Sequence, residues 1–222
     1  MGRVPYASAV GSLMYAMVGS RPDLGFAVGY VCRFMSKPGR EHWKAVQWVL
    51  RYLKRAMDSS LTFKKHSTLL VQGFSDSDYA KDMDRRLSVT DYAFKFGSNT
   101  VSWKSCQQSV VALSTTEAEY MAMNEAVKEA MWLNEICAEL GFKQQGIRLY
   151  CDSQSVLALA RNPANHEKTK HIATKFNFIR DLGEAGDILL NKIHTNLNPA
   201  DFLTKTVPGQ KFQLCCELLN VH

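Results

Sequence analysis

The sequence predicts an α/β protein: a five-stranded mixed sheet flanked by helices and preceded by a small helical segment. Three observations carry that expectation. Short β-branched and aromatic runs alternate with helix-length segments from about residue 61 onward. The element order they give is β-β-β-α-β-α-α-β-α, which fits a sheet with an antiparallel start and a parallel finish. Hydrophobic content of 46% and charged content of 22% are those of an ordinary globular chain with a core to bury.

Residues 1–60 read as helical. Residues 5–18 are small and apolar, Arg21-Pro22-Asp23 stops and restarts the chain, and Leu24 to Met35 forms a second apolar segment ended by Lys37-Pro38-Gly39. A third segment starts near Arg40, with Trp43, Val46, Leu50, Leu53 and Met57 spaced as one amphipathic stripe. Lys44, Arg51, Lys54 and Arg55 fall mostly off that stripe and make a basic face.

From Leu61 the period changes. LTFKK is a short extra piece, and LLVQGFSD, VTDYAFKFG and NTVSWKS read as three antiparallel strands with a turn at Lys95–Asn99. Ser114 to Leu140 is a long helix with Ala122, Met123, Ala126, Ala130, Leu133 and Ile136 on one face, stopped by Gly141. IRLYCD is a fourth strand, SQSVLALARN a helix, Lys168 to Leu182 a further helix, DILLNKIHT a fifth strand, and PADFLTK opens a final helical piece. The boundaries expected are a helical segment over 1–60, an α/β domain over 66–206 and a helical tail over 207–222.

The charge is uneven. The net charge is +6; residues 1–60 hold nine Lys/Arg against three acids, while residues 61–222 hold 18 of each sign. The surplus therefore lies wholly in the first quarter, as expected of a surface that meets an acidic polymer. Solvated helix faces carry such charge too. The six cysteines show no CxxC and no disulfide framework, so reduced thiols in an intracellular compartment are expected. No apolar run reaches a membrane span, the Gly-, Ser- and Tyr-broken start makes a poor signal peptide, and Tyr6 argues against myristoylation.

Chemistry is carried by acids at element ends. Asp76 ends LLVQGFSD and Asp152 ends IRLYCD, and strand ends in an α/β sheet are where crevices open. A helix-borne glutamate and Asp201 at the start of a late helix could converge with them. Clustered carboxylates repel unless a cation neutralises them, and hard oxygen donors suit Mg²⁺ or Mn²⁺. Taken singly, each acid is equally a turn residue, a helix N-cap or a first-turn complement to the helix dipole. Within the close pairs, Asp76 and Asp78 both lie in SDSD. Ser114 to Glu117 reads as a capping box, a spacing that Thr116 to Glu119 also satisfies.

The motifs around these acids resemble ribonuclease H. GFSDSDYA resembles its first-strand motif, AEYMAMNEA its first-helix motif with Ala three and seven residues after Glu119, CDSQSV its fourth-strand motif, and NPADFLTK its closing motif. More narrowly, YASAVGSLMYAMVGSRPDLGFAV, REHWKAVQWVLRYLK, SWKSCQQSVVALSTTEAEY and KTKHI resemble the C-terminal end of the Pol polyprotein of copia-type LTR retrotransposons over essentially the whole chain.

That resemblance implies a ribonuclease H fold after a reverse-transcriptase tail. It selects Asp76, Glu119, Asp152 and Asp201 as the catalytic and metal-binding set, with one or two Mg²⁺ (Mn²⁺ as substitute). It implies hydrolysis of the RNA strand of RNA–DNA hybrids, association with the reverse transcriptase of the same polyprotein, and neither a membrane nor a small-molecule cofactor as partner. The setting it implies is intracellular: cytoplasmic particles with a nuclear stage. Lys44, Arg51, Lys54, Arg55, Ser153 and Gln154 are the expected nucleic-acid contacts. His194, seven residues before Asp201, is expected to belong to the fifth strand and to be structural, and His166 and His171 to touch nucleic acid or pack. The chain departs from the family pattern at Lys81, where Gly is usual, at Thr90-Asp91, where Ser-Gly is usual, and at Cys106 and Gln107, which are commonly basic. The competing expectation is a truncated or domesticated fragment that binds nucleic acid without catalysis; no YxDD polymerase motif occurs in the sequence.

Overall fold

Strands β1 (Val71–Asp78), β2 (Val89–Phe96), β3 (Asn99–Gln107), β4 (Ile147–Cys151) and β5 (Ile188–Lys192) form one sheet in the order β3-β2-β1-β4-β5. The computed structural model describes residues 4–65, 68–82, 84–161 and 173–222. β1–β2 and β2–β3 are antiparallel, and β1–β4 and β4–β5 are parallel, which is the mixed sheet expected from the sequence. The switch falls at β1 because β2 and β3 return through short connections, whereas β4 is reached only after the long helix α4 (Thr115–Glu139).

Three helices cover one face of the sheet: α4, α5 (Gln154–Arg161) and α6 (Ala173–Ala185). The core beneath them joins Val71, Phe94, Met123, Ala126, Leu149 and Ile188. Alanines on α4 bring that helix close to the strands, and Gly73 does the same within the sheet. A methyl group there would lie 2.3 Å from the Phe94 ring and 2.7 Å from Leu149.

The opposite face carries α7 (Asp201–Thr204) and α8 (Gly209–Leu218), over a second core of Ala93, Phe202, Leu203, Cys215 and Leu219. The helical unit docks on this same side. It comprises α1 (Tyr6–Gly19), α2 (Gly25–Cys32) and α3 (Arg40–Arg55), with its own core of Val10, Leu13, Leu24, Val28 and Val46. Its contact runs through small residues of α2. A Cβ on Gly25 would meet Leu203 at 2.9 Å, and Gly29 faces Ser105. Trp103 Nε1 donates to the Met17 carbonyl (2.9 Å), and Tyr52 meets Phe212 edge-on.

Two details differ from the sequence reading, in the α3 face and in the end of β5. The buried face of α3 turns on Val46 and Val49, and Leu50 and Met57 are exposed, because α3 meets α1 and α2 along a line rotated from the expected stripe. LTFKK, the short extra piece before the strands, contributes a single bridge from Leu61 to Val221. β5 ends at Lys192, so His194 lies beyond it and caps a 3-10 turn over Thr195–Leu197, its Nδ1 accepting from Asn196 N–H. Helix α6 is described from Ala173; the expected start at Lys168, and both His166 and His171, lie outside the described residues.

The Arg21-Pro22-Asp23 stop has an electrostatic role as well as a punctuating one. Arg21 donates to both Asp23 oxygens (2.8 and 2.6 Å), Tyr52 OH donates to Asp23 Oδ2 (2.7 Å), and Arg21 Nη1 donates to the Ala56 carbonyl at the end of α3. The Asp23 side chain is fully buried, so removing one partner leaves an uncompensated charge. Asp23→Ala should therefore lower the unfolding free energy by about 3–5 kcal/mol, measured by urea denaturation.

Candidate active site

Asp76 lies near the C-terminal end of β1. The parallel register with β4 pairs Gln72 with Arg148 and Phe74 with Tyr150; two residues further, Asp76 comes level with Asp152, the first residue past β4. Adjacent strands stand about 4.8 Å apart, so the register alone sets these carboxylates side by side. Glu119 reaches them from the first turns of α4. One carboxylate oxygen from each of Asp76, Glu119 and Asp152 lies within 4.8 Å of the other two.

The helix start explains which glutamate turns inward. Ser114 Oγ accepts from Glu117 N–H (3.1 Å), and Glu117 Oε2 accepts from Leu113 N–H (2.8 Å), so Glu117 is spent on capping α4. Two residues on, Glu119 points to the other side and into the cluster. Asp78 is turned to Lys81 at 2.6 Å and stands outside the cluster.

Asp201 is placed differently. It is buried at the start of α7, and its carboxylate is gripped by Lys205 and by Lys211 of α8. Lys205 also approaches Asp76 Oδ2 at 3.6 Å, so it stands between the two acids. The turn before Asp201 is tied to β1: Asn198 Nδ2 donates to the Ser75 carbonyl (3.0 Å), and Asn198 Oδ1 accepts from Ala200 N–H (3.1 Å). The Thr204 hydroxyl lies 2.7 Å from Asp76 Oδ2 and 2.8 Å from the Asp201 carbonyl. Asn198, Thr204 and Lys205 were present in the sequence motif, but only their contacts show that they position acids.

Burial is the main force acting on these acids. It raises the Asp76 carboxyl above its ordinary range, with Asp152 adding to the rise and Lys205 and Thr204 opposing it. Burial, then the charges of Asp76 and Asp152, raise Glu119 as well. Glu119 Oε2 is buried with no hydrogen-bond partner among the described residues. An oxygen-only set held this tightly, with one buried oxygen unmatched, fits a hard divalent cation such as Mg²⁺ or Mn²⁺.

A further acid went unmarked in the sequence except as a departure from family wording. Asp91 pairs with Asp76 across β1–β2, is fully buried, and burial holds its pKa well above the usual carboxylate range. Ser105, its neighbour on β3, compensates it poorly because that hydroxyl donates to the Leu203 carbonyl.

The expected nucleic-acid contacts are distributed. Lys44, Arg51, Lys54 and Arg55 are exposed on α3; Lys44 pairs with Glu41, and Arg51 lies over Trp48 at 4.7 Å. Ser153 and Gln154 open α5 directly after Asp152, with Ser153 Oγ accepting from Val156 N–H and Gln154 exposed. All six cysteines are free thiols, and no helix among the described residues is long and apolar enough to cross a membrane.

A ribonuclease H-like sheet with clustered acids at the ends of its central strands is the class that fold and site define. No protein-family model matches the chain. Among curated proteins it is 50% identical over 222 residues to the retrovirus-related Pol polyprotein from transposon TNT 1-94 of Nicotiana tabacum, covering 100% of this chain and 17% of that relative. The chain belongs to the retrovirus-related Pol polyproteins of copia-type transposons, and spans about a sixth of the length of this relative. Among solved structures it is similar to a foamy viral protease-reverse transcriptase in complex with double-stranded DNA. That similarity has a TM-score of 0.53 at 13% identity, covering 91% of this chain and 32% of that one. It is also similar to the N-terminal ribonuclease H domain of a Mycobacterium tuberculosis protein, with a TM-score of 0.45 at 11% identity, covering 67% of this chain and 97% of that one.

The raised carboxyls give a pH signature. The folded, metal-free chain keeps protons on Asp76 and Glu119 that the unfolded chain sheds from about pH 4 upward. Metal-free stability should therefore fall as pH rises through that range, with the full penalty above the folded-state values. Glu119→Gln should raise the melting temperature in chelator at pH 8, by about 2–4 °C for each kcal/mol of relieved repulsion. A divalent cation held by the three acids would stabilise the unaltered chain, and Glu119→Gln should remove that gain. Calorimetry with and without Mg²⁺ checks both outcomes.

Proposed function

We propose that this protein is a ribonuclease H that hydrolyses the RNA strand of RNA–DNA hybrids during reverse transcription of a retrotransposon. The observation that carries the reading is the convergence of Asp76, Glu119 and Asp152 at the ends of two parallel strands and one helix. Three oxygen ligands from three elements make a rigid site, as positioned catalysis requires.

Asp76, Glu119 and Asp152 hold Mg²⁺ in this reading, with Asp201 as the fourth carboxylate of the set. When bound, such an ion makes a bound water acidic enough to attack at neutral pH and offsets charge on the phosphate under attack. The chain's own residues do the rest. The turn anchored by Asn198 fixes Asp201 beside β1, and the Thr204 hydroxyl fixes the Asp76 carboxylate. Lys205 and Lys211 pair with the Asp201 carboxylate and offset its charge. Ser153 and Gln154 stand directly beyond Asp152, where a bound strand passes. Sequence-independent recognition follows from shape and the 2′-OH groups of the RNA strand.

The test is cleavage of an end-labelled RNA–DNA hybrid with Mg²⁺. Cleavage is expected with the unaltered chain, and Asp152→Asn should reduce it by more than about 100-fold, since even partners that only orient metal ligands cost 10–100-fold. No cleavage, or cleavage indifferent to Asp152→Asn, overturns the reading. Binding without cleavage would favour a nucleic-acid-binding fragment.

A further inference from the structure

A second, oppositely charged site lies on the same end of the sheet. It is a cleft of about 390 Å³ between the α2–α3 connection and the β1–β2 connection, closed at its base by Gln107 at the end of β3. Arg33 and Lys37 line it from the helical unit, and Lys81 and Arg85 from the sheet. The two acids at its rim are Asp82 and Asp84.

Of the two rim acids, Asp84 is exposed and Asp82 is engaged within its own loop. Asp82 Oδ1 accepts from the Asp84 and Arg85 N–H groups (3.1 and 2.9 Å), and Asp82 Oδ2 accepts from Gln107 Nε2 (2.6 Å). These bonds hold the Asp82 carboxyl below its usual range, the Arg85 N–H contributing most. Asp78 is taken by Lys81. Lys37 and Arg85 have no ion-pair partner among the described residues. The Arg33 guanidinium lies over the Tyr30 ring at 5.6 Å, and its Nε is buried without an acceptor among the described residues.

The described residues that flank Lys81 and Arg85 are pinned by the backbone around them. Ala80 and Arg86 both adopt left-handed backbone (φ 49° and 56°), which side chains other than glycine take only when the surroundings impose it. Ala80 N–H donates to Ser88 Oγ (3.0 Å), and Arg86 N–H donates to the Asp82 carbonyl (2.7 Å). Lys81 also caps the Phe26 ring at 4.9 Å, tying the loop to α2. The cations of two units are thus pre-set around one space.

We propose that this cleft binds a phosphate of the nucleic-acid backbone, gripping the substrate one step away from the carboxylate cluster. The inference rests on the ribonuclease H reading of that cluster for the identity of the polymer. Its geometry is independent: β1 ends at Asp78, and Lys81 follows in the connection, five positions after Asp76. A strand whose scissile phosphate lies at Asp76 has further phosphates within reach of Arg33, Lys37 and Arg85. Arg side chains such as Arg33 and Arg85 match phosphate oxygens in a fork. The cleft also accounts for Gln107: it lacks a charge, but it fixes Asp82 and with it the Arg85 loop.

The experiment measures binding of a fluorescent RNA–DNA hybrid to the full chain carrying Asp152→Asn, in Mg²⁺, over a series of salt concentrations. Lys37→Gln with Arg85→Gln, both exposed, should weaken binding at least tenfold at 0.1 M salt without moving the melting temperature. For every phosphate no longer neutralised, the slope of log affinity against log salt should flatten by about 0.9, so the pair should flatten it by up to about 1.8. Arg33→Gln should flatten it further. Lys64→Gln with Lys65→Gln removes the same charge elsewhere and should leave the slope unchanged. An unchanged slope in the cleft variants, or equal flattening in the Lys64/Lys65 control, overturns the proposal. A chain that never cleaves hybrid but shows the cleft-specific slope change would refute the nuclease reading and leave the phosphate site standing.

Discussion

Three like charges meeting at one end of a sheet impose the requirements that the rest of the structure meets. Asp76 and Asp152 are set side by side by the parallel β1–β4 register, and Glu119 is brought in by a helix whose first turn is pinned by Ser114 and Glu117. Left to themselves, buried carboxylates this close drive one another's protons on and weaken the fold. The surrounding structure resists that with specific partners. Thr204 and Lys205 face Asp76, Lys205 and Lys211 face Asp201, and Asn198 nails their turn to the backbone of β1. The sheet therefore supplies position, and the two short C-terminal helices supply charge.

Those helices also join the two units of the chain. α8 and the residues after it lay Cys215, Leu219 and Val221 into the core on one face of the sheet, and α8 sets Phe212 against Tyr52 of α3. Backbone bonds between Ser60 and His222, and between Thr62 and Asn220, stitch the end of the chain to the segment leaving the helical unit. Tyr52 links in turn to Asp23 and Arg21, so the buried ion pair of the helical unit lies directly behind the surface that meets α8. Basic charge from the helical unit reaches the sheet at the Arg33 cleft, beside the carboxylates, as well as on the outward face of α3.

Legibility followed the distance over which each feature is determined. Helix α4 was readable from its apolar face and its stop at Gly141, but capping alone left Glu117 and Glu119 open; the family resemblance selected Glu119, and only the structure has Ser114 and Glu117 taken up at the helix start. The antiparallel β1–β2–β3 run was readable from alternation and short turns. The inward face of α3 was not, because a helix with Trp43, Val46, Val49, Leu50, Tyr52 and Leu53 offers more than one apolar line, and packing against α1 and α2 chose Val46 and Val49. His194 looked like part of β5 because strand ends carry no local signal of their own.

By itself the sequence determined the element order and the chemical type of the acids, since both are local properties of the chain, and its resemblance to ribonuclease H is what singled out Asp76, Glu119, Asp152 and Asp201. Only the tertiary structure decided that three of the four converge, while the fourth is held by two lysines. It alone placed Asp91 beside Asp76, and gathered Arg33, Lys37, Lys81 and Arg85 around one cleft. The physical reason is the same in each case: electrostatic neighbours act through space over a few ångströms, and these come from elements tens of residues apart that only the fold brings together.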